Sequence, residues 1–279
     1  MAFSYFYWFD ALLSKRKPNW QLPVGVSRAT WDYIQAEHIA TEYDEYFADS
    51  ALMRLDLEVL QDSLPPVNSG TPPVIADLGC GTGRVSRFLL PLGYQLINVD
   101  LSQAMLSELK AKTPAEFQDR NQCVCANLVE LDSVLDADSL DLAVCLFSSM
   151  GMIRGRKNRR RFLTAVHKTL RPGARFLVHV HNRNRSLFDP GGPKWLIGSL
   201  MKSFSGRDWE FGDRVYAYRR LPAMFLHIYS RRELLSDLRH ANFHNIQLLP
   251  ISVAGDRLLS ARNPWIGLRA GGYFAIASG

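Results

Sequence analysis

Val74-Ile-Ala-Asp-Leu-Gly-Cys-Gly-Thr-Gly83 joins a short apolar run to three glycines at alternate positions, Gly79, Gly81 and Gly83. Val74 to Ala76 has the β-branched content and length of a buried strand. Asp77 follows as an acid at the strand's end. Glycine lacks a Cβ, so this loop can turn sharply and lay bare backbone against a ligand. Arg84–Leu92 then reads as a helix, with Val85, Phe88, Leu89 and Leu92 near helical spacing. Strand, glycine turn and helix N-terminus together form the nucleotide-binding corner of an α/β sheet.

The glycine spacing selects the ligand. A dinucleotide fingerprint counted from Gly79 needs glycine where Arg84 stands, and counted from Gly81 it needs one where Ser86 stands. No lysine follows in the manner of a phosphate-cradling loop. The preceding Asp77 repels a pyrophosphate but accepts hydrogen bonds from an ammonium or from ribose hydroxyls. A cationic, phosphate-free nucleoside therefore fits better than NAD. The arrangement resembles motif I of the class I S-adenosylmethionine (SAM)-dependent methyltransferases, in particular the type 11/25, ubiquinone-biosynthesis-like groups.

Working outward, strand and helix patterns alternate. Strands are predicted over Gln95–Asp100, Gln122–Cys125, Leu140–Phe147 and Ala174–Val180, with helices after Ser102 and over Asn158–Leu170. Such alternation predicts a mostly parallel sheet with right-handed crossovers. Ser230 is read as the cap of a helix over Arg231–His240, followed by strands at Ile246–Val253 and Gly272–Ser278. The resemblance implies a Rossmann-like α/β fold of seven strands, the last inserted antiparallel, with helices on both faces.

Asp100 closes the second strand, 17 residues after Gly83. There a carboxylate accepts both hydroxyls of a ribose. The resemblance extends the cofactor site over Asp77, Gly79, Cys80, Gly81 and Gly83, with Asp100 on the ribose. It adds Asn127 near the adenine amine, in place of the family's commoner aspartate. Leu101, Met105 and Leu128 form its apolar walls, Phe147 stands at the methyl-transfer position, and Tyr43 lies in a Tyr-Asp segment that closes over the ligand. It implies SAM as cofactor and S-adenosylhomocysteine (SAH) as product.

The chain divides by composition into residues 1–72, an aromatic helical lid; 73–185, the SAM-binding core; 186–230, an inserted substrate cap; and 231–279, the rest of the core. Within the lid, Thr30 is read as a helix cap. The opening stretch, with Phe3, Tyr5, Phe6, Tyr7, Trp8 and Phe9, carries its positive charges after the apolar run and lacks a cleavage pattern. It is read as a packed helix rather than a signal peptide. No apolar run is long enough for a membrane span. Cys80, Cys123, Cys125 and Cys145 form no C-x-x-C pair and are read as buried thiols in a reducing, cytoplasmic setting.

Net charge is +6, and much of the excess sits in Arg154–Arg161. A solvated loop and exposed helix start account for that run, and nucleic acid is disfavoured because no nucleic-acid module is present. Residues 147–151 lack the tetrad of base amino-methyltransferases, which points to a small-molecule acceptor methylated on O, N or C. An RNA or protein methyltransferase using the Arg154–Arg161 patch, and a non-catalytic SAM-binding protein, are the alternatives. His181 at the fifth strand's end is the first choice of general base, ahead of His179, His38 and His227. No acid and histidine cluster has metal-ligand spacing.

Overall fold

The computed structural model describes residues 17–67, 70–205 and 209–279. The aromatic opening stretch, Phe3 to Phe9, lies outside them. Among the described residues, four α-helices precede the sheet: α1 (Arg28–Gln35), α2 (Glu37–Thr41), α3 (Tyr43–Tyr46) and α4 (Ala51–Gln61). The cap of α1 is Ser27, whose side chain accepts from Thr30 N. The sequence reading chose Thr30 instead, which is itself a capping type but lies inside the first turn.

The core follows as β1 (Val74–Leu78), α5 (Arg84–Leu89), β2 (Gln95–Asp100), α6 (Gln103–Lys112), β3 (Asn121–Cys125), β4 (Leu140–Cys145), α7 (Arg156–Thr169) and β5 (Leu170–His181). Then come α8 (Gly192–Ser203), β6 (Asp213–Tyr218), β7 (Leu221–His227), α9 (Arg231–His240), β8 (His244–Ile251), α10 (Ile266–Arg269) and β9 (Gly272–Ser278). The main sheet has seven strands in the order β3-β2-β1-β4-β5-β9-β8. Neighbours among β1 to β5 pair parallel, and β9 runs antiparallel to both β5 and β8. The chain is thus a Rossmann-like seven-stranded α/β fold.

Helices cover both faces, so the central strands are apolar on both sides. Ala76 and Leu78 of β1 pack into one core with Phe162 and Val166 of α7 and Leu234 of α9. Ile75, one residue before Ala76, points into the opposite core with Leu55 and Val59 of α4 and Val85 and Leu89 of α5. Period-two alternation along one strand therefore locks two helical layers to the sheet.

Three local readings are corrected. β5 begins at Leu170 rather than Ala174, because Arg171-Pro-Gly173 is absorbed as an irregularity where Leu140 and Leu142 pair with Leu170 and Arg175. Cys125 is exposed and Cys123 only half-buried, since β3 is an edge strand. The Arg154–Arg161 run is not a solvated start: Arg159 is 0% exposed, and Arg156 and Arg160 both pair with Asp237 of α9, at 2.8 and 2.7 Å.

The segment between β5 and α9 folds as α8 plus a separate two-stranded antiparallel hairpin, β6–β7. It is fixed to the core by a buried polar cluster. Arg159 pairs with Glu210, and His227 on β7 contacts Asp213 at 2.7 Å through Nδ1 and Glu233 at 2.9 Å through Nε2. Arg183 pairs with Glu233 at 3.2 Å. The ligand atoms of Glu210, His227 and Glu233 lie within 4.8 Å of one another, a grouping that sequence spacing does not reveal. Arg159 and Arg183 supply its counter-charge.

Candidate active site

The glycine loop runs between β1 and α5, and its conformation requires glycine. Gly79, Gly81 and Gly83 have φ of 84°, 54° and 83°. A Cβ on Gly79 would lie 2.7 Å from Ser149 Cβ, and one on Gly83 would lie 2.5 Å from Leu109 Cγ. At Gly81 the nearest atom would be Tyr43 Cε1 at 4.0 Å, so this part of the loop offers open backbone.

Asp100, at the end of β2, holds the loop. Its Oδ2 accepts from Gly81 N at 2.9 Å, and its Oδ1 accepts from Ser102 N at 2.8 Å. Burial raises the Asp100 pKa, while these backbone donors pull it back down. Asp77 is 3% exposed and accepts no hydrogen bond from any described residue. Burial pushes its pKa up to about 7 despite the nearby Arg84. A buried carboxylate without a donor beside a glycine loop suits a ligand ammonium group.

The N-terminal helices close over this loop. Asp44 in α3 accepts from Thr82 Oγ1 at 2.5 Å and pairs with Arg87 and Lys112 at 3.1 and 3.2 Å. Arg84, in the first turn of α5, pairs with the buried Asp56 of α4 at 2.7 Å. Tyr43, Phe47 and Phe147 pack in a row, the first pair tilted and the second edge to face, with ring centroids 4.9 and 5.0 Å apart. Phe147 and Ser148, where the chain leaves β4, both have positive φ, 51° and 64°. For non-glycine residues this is strained backbone, here turned toward the site.

Most of the residues singled out from sequence line one cavity of about 280 Å³: Tyr43, Gly79, Gly81, Asp100, Leu101, Met105, Asn127, Leu128, Phe147 and His181. Asp77 and Cys80 line instead an adjoining cavity of about 40 Å³, which shares Tyr43, Gly79, Gly81 and Phe147 with the first and adds Arg84. Gly83 lines neither and begins α5 against Leu109. Asn127 lines the cavity, but its Oδ1 accepts from Val129 N at 3.1 Å and its Nδ2 donates to Val24 O at 2.9 Å. Its amide therefore ties the N-terminal segment to the core as well as bordering the ligand space.

His181 borders the cavity, and burial lowers its pKa to about 4. It is neutral at ordinary pH and able to accept a proton. The other histidines are placed elsewhere. His179 is buried against Phe274, His227 has a carboxylate on each ring nitrogen, and His38 does not line the cavity. Sequence reasoning set residues 186–230 apart as a cap but named none of its lining residues: Tyr216, Tyr218, Met224 and Leu226 of the β6–β7 hairpin, facing Tyr33 and Ile34 of α1.

Residues 76–178 match the family model described as a methyltransferase domain. That stretch is similar to the methyltransferase domain, and the fold around it is that of SAM-dependent methyltransferases. No curated protein matches the chain in sequence. Among solved structures it resembles a SAM-dependent methyltransferase of Methanosarcina mazei, with TM-score 0.59 and 19% identity over 79% of this chain and 96% of the other. It also resembles 1,6-didemethyltoxoflavin-N1-methyltransferase of Burkholderia thailandensis with its bound acceptor and SAH, with TM-score 0.55 and 20% identity over 92% of each chain. A third likeness is the glycopeptide N-methyltransferase MtfA in complex with SAH, with TM-score 0.55 and 16% identity over 82% of this chain and 89% of that one. At these identities the likeness concerns the fold.

Proposed function

We propose that this enzyme moves the methyl group of SAM to an O, N or C atom of a small, largely apolar acceptor held between the glycine loop and the β6–β7 hairpin. The observation that carries the reading is the lining of the cavity. Apart from Asp100 and neutral His181, its side chains are aromatic, aliphatic or uncharged, and helices, sheet and hairpin surround it. A compartment of about 280 Å³ suits a drug-sized ligand rather than a polymer groove. The polymer alternative leans on the Arg154–Arg161 run, and Arg156, Arg159 and Arg160 are committed to internal ion pairs.

The cofactor supplies an electrophilic methyl on a sulfonium. In this reading Asp77 takes its ammonium, Asp100 its ribose hydroxyls, and Leu101, Met105 and Leu128 the faces of its adenine. Residues 17–67 act as a lid and the hairpin as a cap, excluding water and fixing the acceptor in line with the methyl. Neither ring nitrogen of His181 has a hydrogen-bond partner among the described residues. One is therefore open to accept the proton of an acceptor O–H or N–H.

The test is turnover of a panel of planar phenols, quinols and N-heteroaromatics with labelled SAM, beside bulk RNA and denatured protein. Label in a small acceptor, with kcat reduced at least about 100-fold by His181→Ala at unchanged SAH affinity, supports the reading. Label in polymer alone contradicts it.

A further inference from the structure

The helix α8 wears an apolar stripe on its outer side. Leu196 and Ser199 are buried and face the protein. Ile197, Leu200, Met201 and Phe204, at i, i+3, i+4 and i+7, are 61%, 40%, 69% and 81% exposed. Leu187 and Phe188, in the turn before α8, are exposed as well. An isolated exposed leucine means little, but six large apolar side chains on one helix and its adjoining turn mark a contact surface.

Its border is cationic. Between Arg185 and Ser205 the sequence holds Arg185, Lys194 and Lys202 against the single acid Asp189. Lys194 lies one turn before Ile197 on the same side of the helix. The cations sit beside aromatic rings: Arg185 at 5.5 Å from the Phe188 centroid, Lys202 at 4.8 Å from Trp209, and Arg214 at 5.3 Å from Trp195. An apolar stripe with lysine, arginine and tryptophan at its edges has the chemistry of a helix lying in the headgroup layer of a bilayer. Anionic lipid adds an attraction for each cation near the surface. A second copy of the chain would instead bring Lys194 and Lys202 against their own equivalents.

From this geometry we infer that α8 and the Leu187–Phe188 turn dock the enzyme on an anionic membrane surface, without spanning it. Among the described residues no helix is long and apolar enough to cross a membrane. None of the stripe residues borders the ligand cavity, so the inference stands independently of the acceptor's identity.

Co-flotation with vesicles tests it, using the full chain, equimolar phosphatidylglycerol and phosphatidylcholine, and pure phosphatidylcholine as reference. Expected is partition onto the anionic vesicles that weakens with salt. It should fall at least about tenfold in the Ile197→Ser/Met201→Ser/Phe204→Ser variant and also in Lys194→Glu/Lys202→Glu. Unchanged melting temperature and SAH affinity would show that both variants keep their fold. No partition of the wild type overturns the inference. So does partition that survives both variants, which would move the contact to another part of the chain. A concentration-dependent dimer abolished by the same serine substitutions would assign the stripe to a second copy and overturn it equally.

Discussion

Asp100 and Gly81 are joined by a 2.9 Å hydrogen bond from the Gly81 amide to Asp100 Oδ2, which fastens the middle of the glycine loop to the end of β2. One carboxylate thus shapes the loop, and on the proposed reading its remaining lone pairs take the ribose hydroxyls. Asp100→Ala should weaken SAH binding by at least about 100-fold, since it removes charged acceptors from both the loop and the ribose. Asp100→Asn keeps one acceptor and should lose roughly ten-fold or more. Calorimetry on both variants checks this ordering.

Asp77 carries a cost in the ligand-free protein. Its folded pKa, raised to about 7 by burial, lies above the unfolded value. Its contribution to stability is therefore complete below the unfolded pKa, shrinks as pH rises, and is fully lost above about 7. Asp77→Asn should raise the melting temperature by several degrees at pH 8, with a gain that fades toward pH 4. The same change should weaken SAH binding, because the ammonium loses its carboxylate. Thermal scans across pH, paired with a titration, check both halves.

Gly83 and Gly191 separate backbone strain from crowding. Both have positive φ, but a Cβ at Gly191 meets nothing within 4 Å, while at Gly83 it meets Leu109 Cγ at 2.5 Å. Gly191→Ala should cost about 1 kcal/mol, and Gly83→Ala a further 1–3 kcal/mol, roughly, for overpacking. Chemical denaturation of the two variants measures the difference.

The loop and sheet were legible in sequence because their signals are local. Alternate glycines after a β-branched run demand positive φ, and the acid closing β2 sits one strand along. Which residues of the 186–230 insertion form the roof was not legible, since Tyr216 and Tyr218 reach the cavity only through the long-range fit of the β6–β7 hairpin over α1 and the loop after β4. Arg159 misled for the same reason. A cation in a basic run reads as solvated, and its partners Glu210 and Glu233 lie 51 and 74 residues further along the chain. Asn127 shows a mixed outcome: it lines the cavity as expected, yet its amide is already bonded to Val24 and Val129.

Arg159 should be costly to remove. Its guanidinium is fully buried, with Glu210 and Glu233 as partners and Tyr229 beneath it. Arg159→Met leaves those acids short of counter-charge and should destabilise the fold by about 3–5 kcal/mol. It should also loosen the hairpin and raise the acceptor KM more than the SAM KM. Denaturant titration and the two KM values check this.

His181 supplies a pH signature. A base whose pKa is lowered to about 4 by burial stays neutral through the weakly acidic range. The acid limb of kcat/KM for the acceptor should then fall near pH 4, well below the ordinary histidine value of about 6.5. The His181→Ala variant should lose that limb. A rate profile from pH 3.5 to 8, corrected for unfolding, decides it.

The most direct measurement is a calorimetric titration of the wild-type protein with SAH, beside NAD. The glycine spacing and the donor-free Asp77 call for saturable, micromolar binding of SAH and none of NAD. Saturable NAD binding, or no SAH binding by protein shown to be free of co-purified ligand, would contradict the assignment of this loop.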